Sequence, residues 1–101
     1  MQFTGKPTGT LRDDAHWNPD HLAIEATLDV RDDDSVHQFS CCVYRRALDN
    51  AVRRSGPLDG EEALRIYNDH IERIHAVVGR KLRAGEFDEN LIIFVEGAEL
   101  E

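Results

Sequence analysis

Glu72 and His75 stand three residues apart, a Glu-x-x-His spacing that places a carboxylate and an imidazole on one side of a helix. That is half of a carboxylate-bridged di-metal centre. The full centre needs a second such pair and two more glutamates, and the sequence has no second pair. His16, His21, His37, His70 and His75 are scattered, with no Cys-x-x-Cys or His-Glu-x-x-His spacing. His70 and His75 are five apart, about 140° around a helix, so they diverge. Cys41 and Cys42 could supply a thiolate nucleophile, but one needs a base and an electropositive setting, and no third group is visible. Gly5, Gly9, Gly56, Gly60, Gly79 and Gly85 are isolated, so no phosphate loop exists. Ser35, Ser40 and Ser55 lack a nucleophile elbow. The residues predict no enzyme, no metal and no cofactor.

The remaining chemistry is cationic. Arg45, Arg46, Arg53 and Arg54 fall on one short helical stretch, where positions eight apart return to within about 80° and can share a broad face. Arg80, Lys81 and Arg83 extend this basic region. Between residues 45 and 83 there are nine basic and six acidic residues, against three and fourteen in the rest of the chain. The arginine face suits an acidic protein segment or a phosphate backbone. With a net charge of -8 and fourteen carboxylates outside it, nucleic acid is the less favoured partner.

One domain must position these residues, because 101 residues suffice for one and not for two. With 41% hydrophobic and 32% charged residues the composition is globular. No apolar run reaches the ~18 to 20 residues of a bilayer span, and residues 1–11 lack the pattern of a signal peptide. The adjacent cysteines, on opposite faces of a strand, are poorly placed to bridge. A cytoplasmic protein is expected, with Cys41 buried and Cys42 on the outer face.

Residues 1–21 carry turn chemistry without periodicity and read as an irregular lead-in anchored by Trp17. Residues 22–95 read as the domain and 96–101 as a frayed acidic tail. Leu22, Ile24, Ala26, Leu28 and Val30 alternate with polar positions, predicting a strand with one buried face. Arg31 to Ser35 reads as a hairpin loop, and Val36 to Tyr44 as the returning strand, with Phe39, Cys41 and Val43 on its apolar face. A short helix runs from Arg45 to Arg54 and ends at Ser55-Gly56-Pro57. A long helix follows, capped by Asp59 with Glu62 and stopped by Gly85. Its stripe is Leu64, Tyr67, Ile71, Ile74, Val78 and Leu82. At about 37 Å it would overhang the sheet. Leu91 to Val95 reads as a strand covered on both faces or lying in the sheet centre. The expected fold is α+β, β-β-α-α-β: a small, mainly antiparallel three-stranded sheet with one short and one long helix on one face.

Two stretches, Phe39-Ser40-Cys41-Cys42-Val43-Tyr44-Arg45-Arg46-Ala47-Leu48 and Ile71-Glu72-Arg73-Ile74 with Arg80-Lys81-Leu82-Arg83-Ala84-Gly85, resemble the bacterial "domain of unknown function 1488" family. Cys41, Ala47, Leu48, Ile71, Glu72, Lys81 and Gly85 sit on that pattern, as do Ile24 and Ala26, over roughly residues 13–95. Tyr44 departs from it, standing where a Ser or Thr would open the helix, and the acidic N-terminal lead is extended. The resemblance implies a small bacterial α+β domain and no particular activity.

The expectation for function is a non-enzymatic domain that works through protein contacts, with Arg45, Arg46, Arg53 and Arg54 as candidate contact residues. Exposed sheet edges and the prevalence of symmetric dimers predict a homodimer, with an unidentified protein as a second candidate partner. A nucleic-acid-binding regulator using Arg45 to Arg83 is the alternative.

Overall fold

The computed structural model describes residues 3, 5–53 and 59–100. In chain order the elements are β1 (Thr8–Leu11), β2 (His16–Asn18), β3 (Ala23–Asp32), β4 (Ser35–Tyr44), α1 (Arg45–Ala51), α2 (Gly60–Asp69), α3 (Ile71–Ala84) and β5 (Ile92–Val95). A 3-10 helix over Gly97–Leu100 closes the described chain.

The alternating pattern of residues 22–30 forms β3, which pairs antiparallel with β4. The register sets Ile24 opposite Val43, Ala26 opposite Cys41 and Leu28 opposite Phe39, so both apolar sets fall on one face. The connecting loop is tighter than expected. The strands run through Asp32 and Ser35, leaving Asp33 and Asp34 as the turn, with Asp33 at φ 54°. Aspartate tolerates that conformation better than most residues.

The helices lie over this apolar face. Ala47, Leu48, Ala63, Ile66, Tyr67, Ile74, Val77, Val78 and Leu82 join Ile24, Leu28, Phe39 and Val43 in one core. Burying such side chains is worth roughly 1.5 to 3 kcal/mol each. Trp17 packs on this core as the expected anchor. A Cβ on Gly60 would stand 2.8 Å from its indole, so the start of α2 needs glycine there.

Five expectations are corrected. The lead-in is not irregular: β1 and β2 both pair with β3, giving a five-stranded sheet of order β1-β3-β4-β5 with β2 beside β3. These strands are three and four residues long and templated by β3, so they carry no periodicity of their own. Asp14 bridges the gap between them, its carboxylate accepting from Thr27 N–H at 2.9 Å and from the Thr27 hydroxyl. Second, the long helix is two. Asp59 caps α2 through Glu62 N–H at 2.8 Å, as expected, but His70 leaves helical geometry at φ -113°, ψ 20°. Its ring Nδ1 donates to the Ile66 carbonyl at 3.0 Å, competing for a helical acceptor. α3 is therefore 14 residues, about 21 Å, and the long overhang disappears. It ends at Gly85 in the left-handed conformation, φ 74°, as expected.

Third, β5 is an edge strand, parallel to β4, with Ile93 and Val95 buried and Ile92 and Phe94 half-buried. Its apolar run hides that alternation. Fourth, the tail turns back as the 3-10 helix and buries Leu100 in the core. Fifth, α1 ends at Ala51. The proposed Ser55-Gly56-Pro57 stop lies outside the described residues.

α3 crosses the sheet and reaches both edges. Arg12 N–H donates to Thr27, so even-numbered residues of β1 bond to β3 and Gly9 faces outward. The Gly9 carbonyl accepts from His75 Nε2 at 2.8 Å. At the other edge Ser40 N–H donates to Leu91, which turns Ile92 and Phe94 outward. The Phe94 carbonyl accepts from Lys81 Nζ at 2.6 Å. Asp88 takes both outward groups of Ile92, through its side chain at 2.9 Å and its own N–H at 3.2 Å. Groups that would pair with another strand are thereby occupied.

Candidate contact surface

Among the described residues no helix covers the opposite face of the sheet. Across β3, β4 and β5 it presents Glu25 beside Cys42 and Phe94, and Thr27 beside Ser40 and Ile92. Near its centre Glu25 accepts from Asn18 Nδ2 at 3.0 Å and His21 Nδ1 at 2.9 Å, with His16 Nε2 3.6 Å away. The hydrogen bonds from Asn18 and His21 hold the Glu25 carboxyl below its usual range. Asp14, His16, Glu25, Thr27, Ser40 and Cys42 line a depression of about 190 Å³.

Cys42 lies on this face as expected and is only 5% exposed. Burial, then the charge of Glu25, pushes its thiol up to about 11. Cys41 is buried in the core as expected, and burial pushes its thiol up to about 12. Neither is a thiolate near neutral pH, which is the form a nucleophile needs. His37 packs edge-on against Phe3 at 6.2 Å.

The Glu-x-x-His pair is separated in role. Glu72 is exposed on α3, and His75 binds the Gly9 carbonyl. Among the described residues no group of three His, Cys, Asp or Glu is arranged to hold a metal, and no helix is long and apolar enough to cross a membrane.

At one end of the open face lies a groove of about 430 Å³, lined by His21, Leu22, Tyr44, Arg45, Arg46, Glu96 and Gly97. Tyr44 stacks on Phe94 with ring centroids 5.9 Å apart and planes 7° from parallel. Arg45 Nε lies 3.7 Å from Asp49 Oδ2. Asp49 is buried, and its other oxygen has no hydrogen-bond partner. Arg46 is exposed on the groove wall.

Among the described arginines, Arg53 does not share the helical face of Arg45 and Arg46. Arg45 and Arg46 belong to this groove, whereas Arg53 follows the end of α1 at φ 52°, and Arg54 lies outside the described residues. Leu22, Phe94 and Glu96 escaped the sequence reading as surface residues because each looks like part of a strand or a tail. The adjacent Tyr44-Arg45-Arg46 was the available signal.

The architecture is that of the domain of unknown function 1488 family. A crystal structure of a protein of unknown function from that family, from Shewanella loihica PV-4, matches with a TM-score of 0.70 over 95% of this chain and 98% of that one, at 18% identity. The likeness bears out the resemblance and the α+β class at the level of fold. No family model and no curated protein matches the sequence.

Proposed function

We propose that this chain is a non-enzymatic, cytoplasmic bacterial domain that uses no cofactor and works through protein contacts, first of all with itself as a homodimer. The observation that carries the reading is the division of the sheet. One face is filled by helices, and at the edges the outward carbonyls of Gly9 and Phe94 and both outward groups of Ile92 are already bonded. The helix-free face is the one offered for contact: Ile92, Phe94 and Tyr44 are half-buried there, and Tyr44 shares a groove with exposed Leu22. A small domain leaves a large share of its surface unburied, and a symmetric dimer is the commonest way to cover more. The unpaired thiols support a reducing compartment. The nucleic-acid alternative has less support, because Arg45 faces Asp49 and Arg46 shares its groove with Glu96. Sedimentation equilibrium at micromolar concentration and moderate salt tests the reading. A species near twice the 11.5 kDa chain mass is expected. A single species at the chain mass overturns it.

A further inference from the structure

Three local features at the groove run against the interest of the isolated fold. Leu22 stands at φ 50°, a left-handed conformation that leucine rarely adopts, and is 48% exposed. Arg45 and Arg46 occupy the first turn of α1, where carboxylates are favoured and cations are not, and no acidic residue accompanies them. Tyr44 holds the N-cap position and makes no side-chain cap, where Ser, Thr, Asp or Asn would. Local rules broken together in one place mark a surface shaped by something outside the chain.

The charges of the groove identify that something. Arg46 and Glu96 both line the groove and make no ion pair within the described chain. The same groove carries apolar surface from Leu22 and Tyr44, the latter backed by Phe94. A groove that holds a free cation, a free carboxylate and apolar side chains can meet a copy of itself under a two-fold rotation with opposite charges paired.

We propose that this groove is one half of a two-fold interface between copies of the chain, in which Arg46 of each subunit meets Glu96 of the partner subunit and the Leu22 side chains pack over the tyrosines. The inference rests on the homodimer reading above and adds the surface through which it forms. In the dimer Leu22 becomes a central apolar anchor, and the two charge pairs fix orientation.

The test compares dissociation constants by sedimentation equilibrium for the wild type, Arg46→Glu, Glu96→Arg, an equimolar mixture of these two variants, and Leu22→Asn. Each charge reversal sets two like-charge pairs across the axis and is expected to weaken the dimer by about tenfold or more. The mixture restores both opposite-charge pairs and is expected to return to within about threefold of the wild type. Leu22→Asn is expected to weaken the dimer while leaving the thermal midpoint of the dilute monomer unchanged or higher, since asparagine suits the left-handed conformation better. Arg46→Glu adds a carboxylate to the first turn of α1, so its fold is expected to persist by circular dichroism. Arg46→Ala, with one charge removed, serves if it does not.

A wild-type dimer that is indifferent to all three variants overturns the surface and leaves the self-association reading standing. A wild-type monomer overturns both. A monomer that binds a polyglutamate peptide in an Arg46-dependent way also overturns the inference, by showing that the occupant is an acidic segment and not a second copy.

Discussion

His75 Nε2 donates to the Gly9 carbonyl across 66 positions of sequence, while Glu72, one helical turn earlier, points to solvent. A net hydrogen bond contributes about 0.5 to 1.5 kcal/mol, and a solvated surface carboxylate within about 0.5 kcal/mol. His75→Ala is therefore expected to lower the urea unfolding free energy by about 0.5 to 1.5 kcal/mol, and Glu72→Ala to leave it within about 0.5 kcal/mol. Equal effects from the two would contradict the architectural role of the imidazole. Cys42 shows the matching limit of residue-level reading. Alternation along β4 gives the face a side chain points to, but not what covers that face. Burial of Cys42 goes with the Tyr44 and Phe94 stack and with β5, whose position beside β4 is not written in either strand.

At the level of elements, α3 joins two sheet edges through His75, which the sequence offered as half of a metal pair, and Lys81, which it placed in the basic region. Lys81 Nζ binds the Phe94 carbonyl at 2.6 Å and the Glu99 carboxylate at 2.7 Å, tying helix, strand and 3-10 helix together. Lys81→Met keeps the apolar stem and removes the donor. It is expected to cost about 1 to 3 kcal/mol, the penalty of leaving partly buried acceptors unpaired. Exposed Arg83→Met, two positions on, is expected to stay within about 0.5 kcal/mol. Denaturant midpoints of the two variants check this, and a neutral Lys81→Met would remove the clip from the account. β3, β4, the Asp59 cap and the Gly85 stop were legible because their signals are local: period two, an N-cap and a left-handed glycine. β1 and β2 were not, since a three- or four-residue strand is defined by the neighbour it pairs with. The break at His70 was equally hidden, because histidine is neither a proline nor a glycine and acts there through its ring. Of the contact surface, the sequence displayed Arg45 and Arg46; the placing of Glu96 in their groove and the conformation of Leu22 are products of the fold.

Across the whole molecule, three carboxylates couple the fold to acid. Hydrogen bonds from the Thr27 hydroxyl and N–H hold Asp14 below its usual 3.8. Those from Asn18 and His21 hold Glu25 below 4.5. Burial pushes Glu99 up, but its bonds with Lys81 and the Glu96 N–H outweigh this and leave it lowered. A carboxylate whose value is depressed by folding stabilises the protein fully above its unfolded value, and that stability is lost as pH falls through the folded value. The urea midpoint is thus expected to be insensitive to these groups above about pH 4.5 and to fall steadily below it. The fall should be shallower in high salt, because all three groups are partly exposed and screened. A midpoint that held constant down to about pH 3 would show that these bonds do not favour the folded state.

The two-edge clip also orders events on the ribosome. Gly9 leaves the exit tunnel 66 residues before the imidazole that will occupy its carbonyl. In the later part of that interval, once Tyr44 has emerged, β1 to β4 are complete, yet their apolar face still awaits α3, the outer edge of β1 is open, and β4 lacks β5. A nascent sheet in that state is a target for wrong pairing with neighbouring chains, and it favours shelter by a holding chaperone. Since α3 carries the guards for both sides, the hazard does not fade by degrees: it closes when one helix docks and β5, the last strand to be synthesised, falls in beside β4.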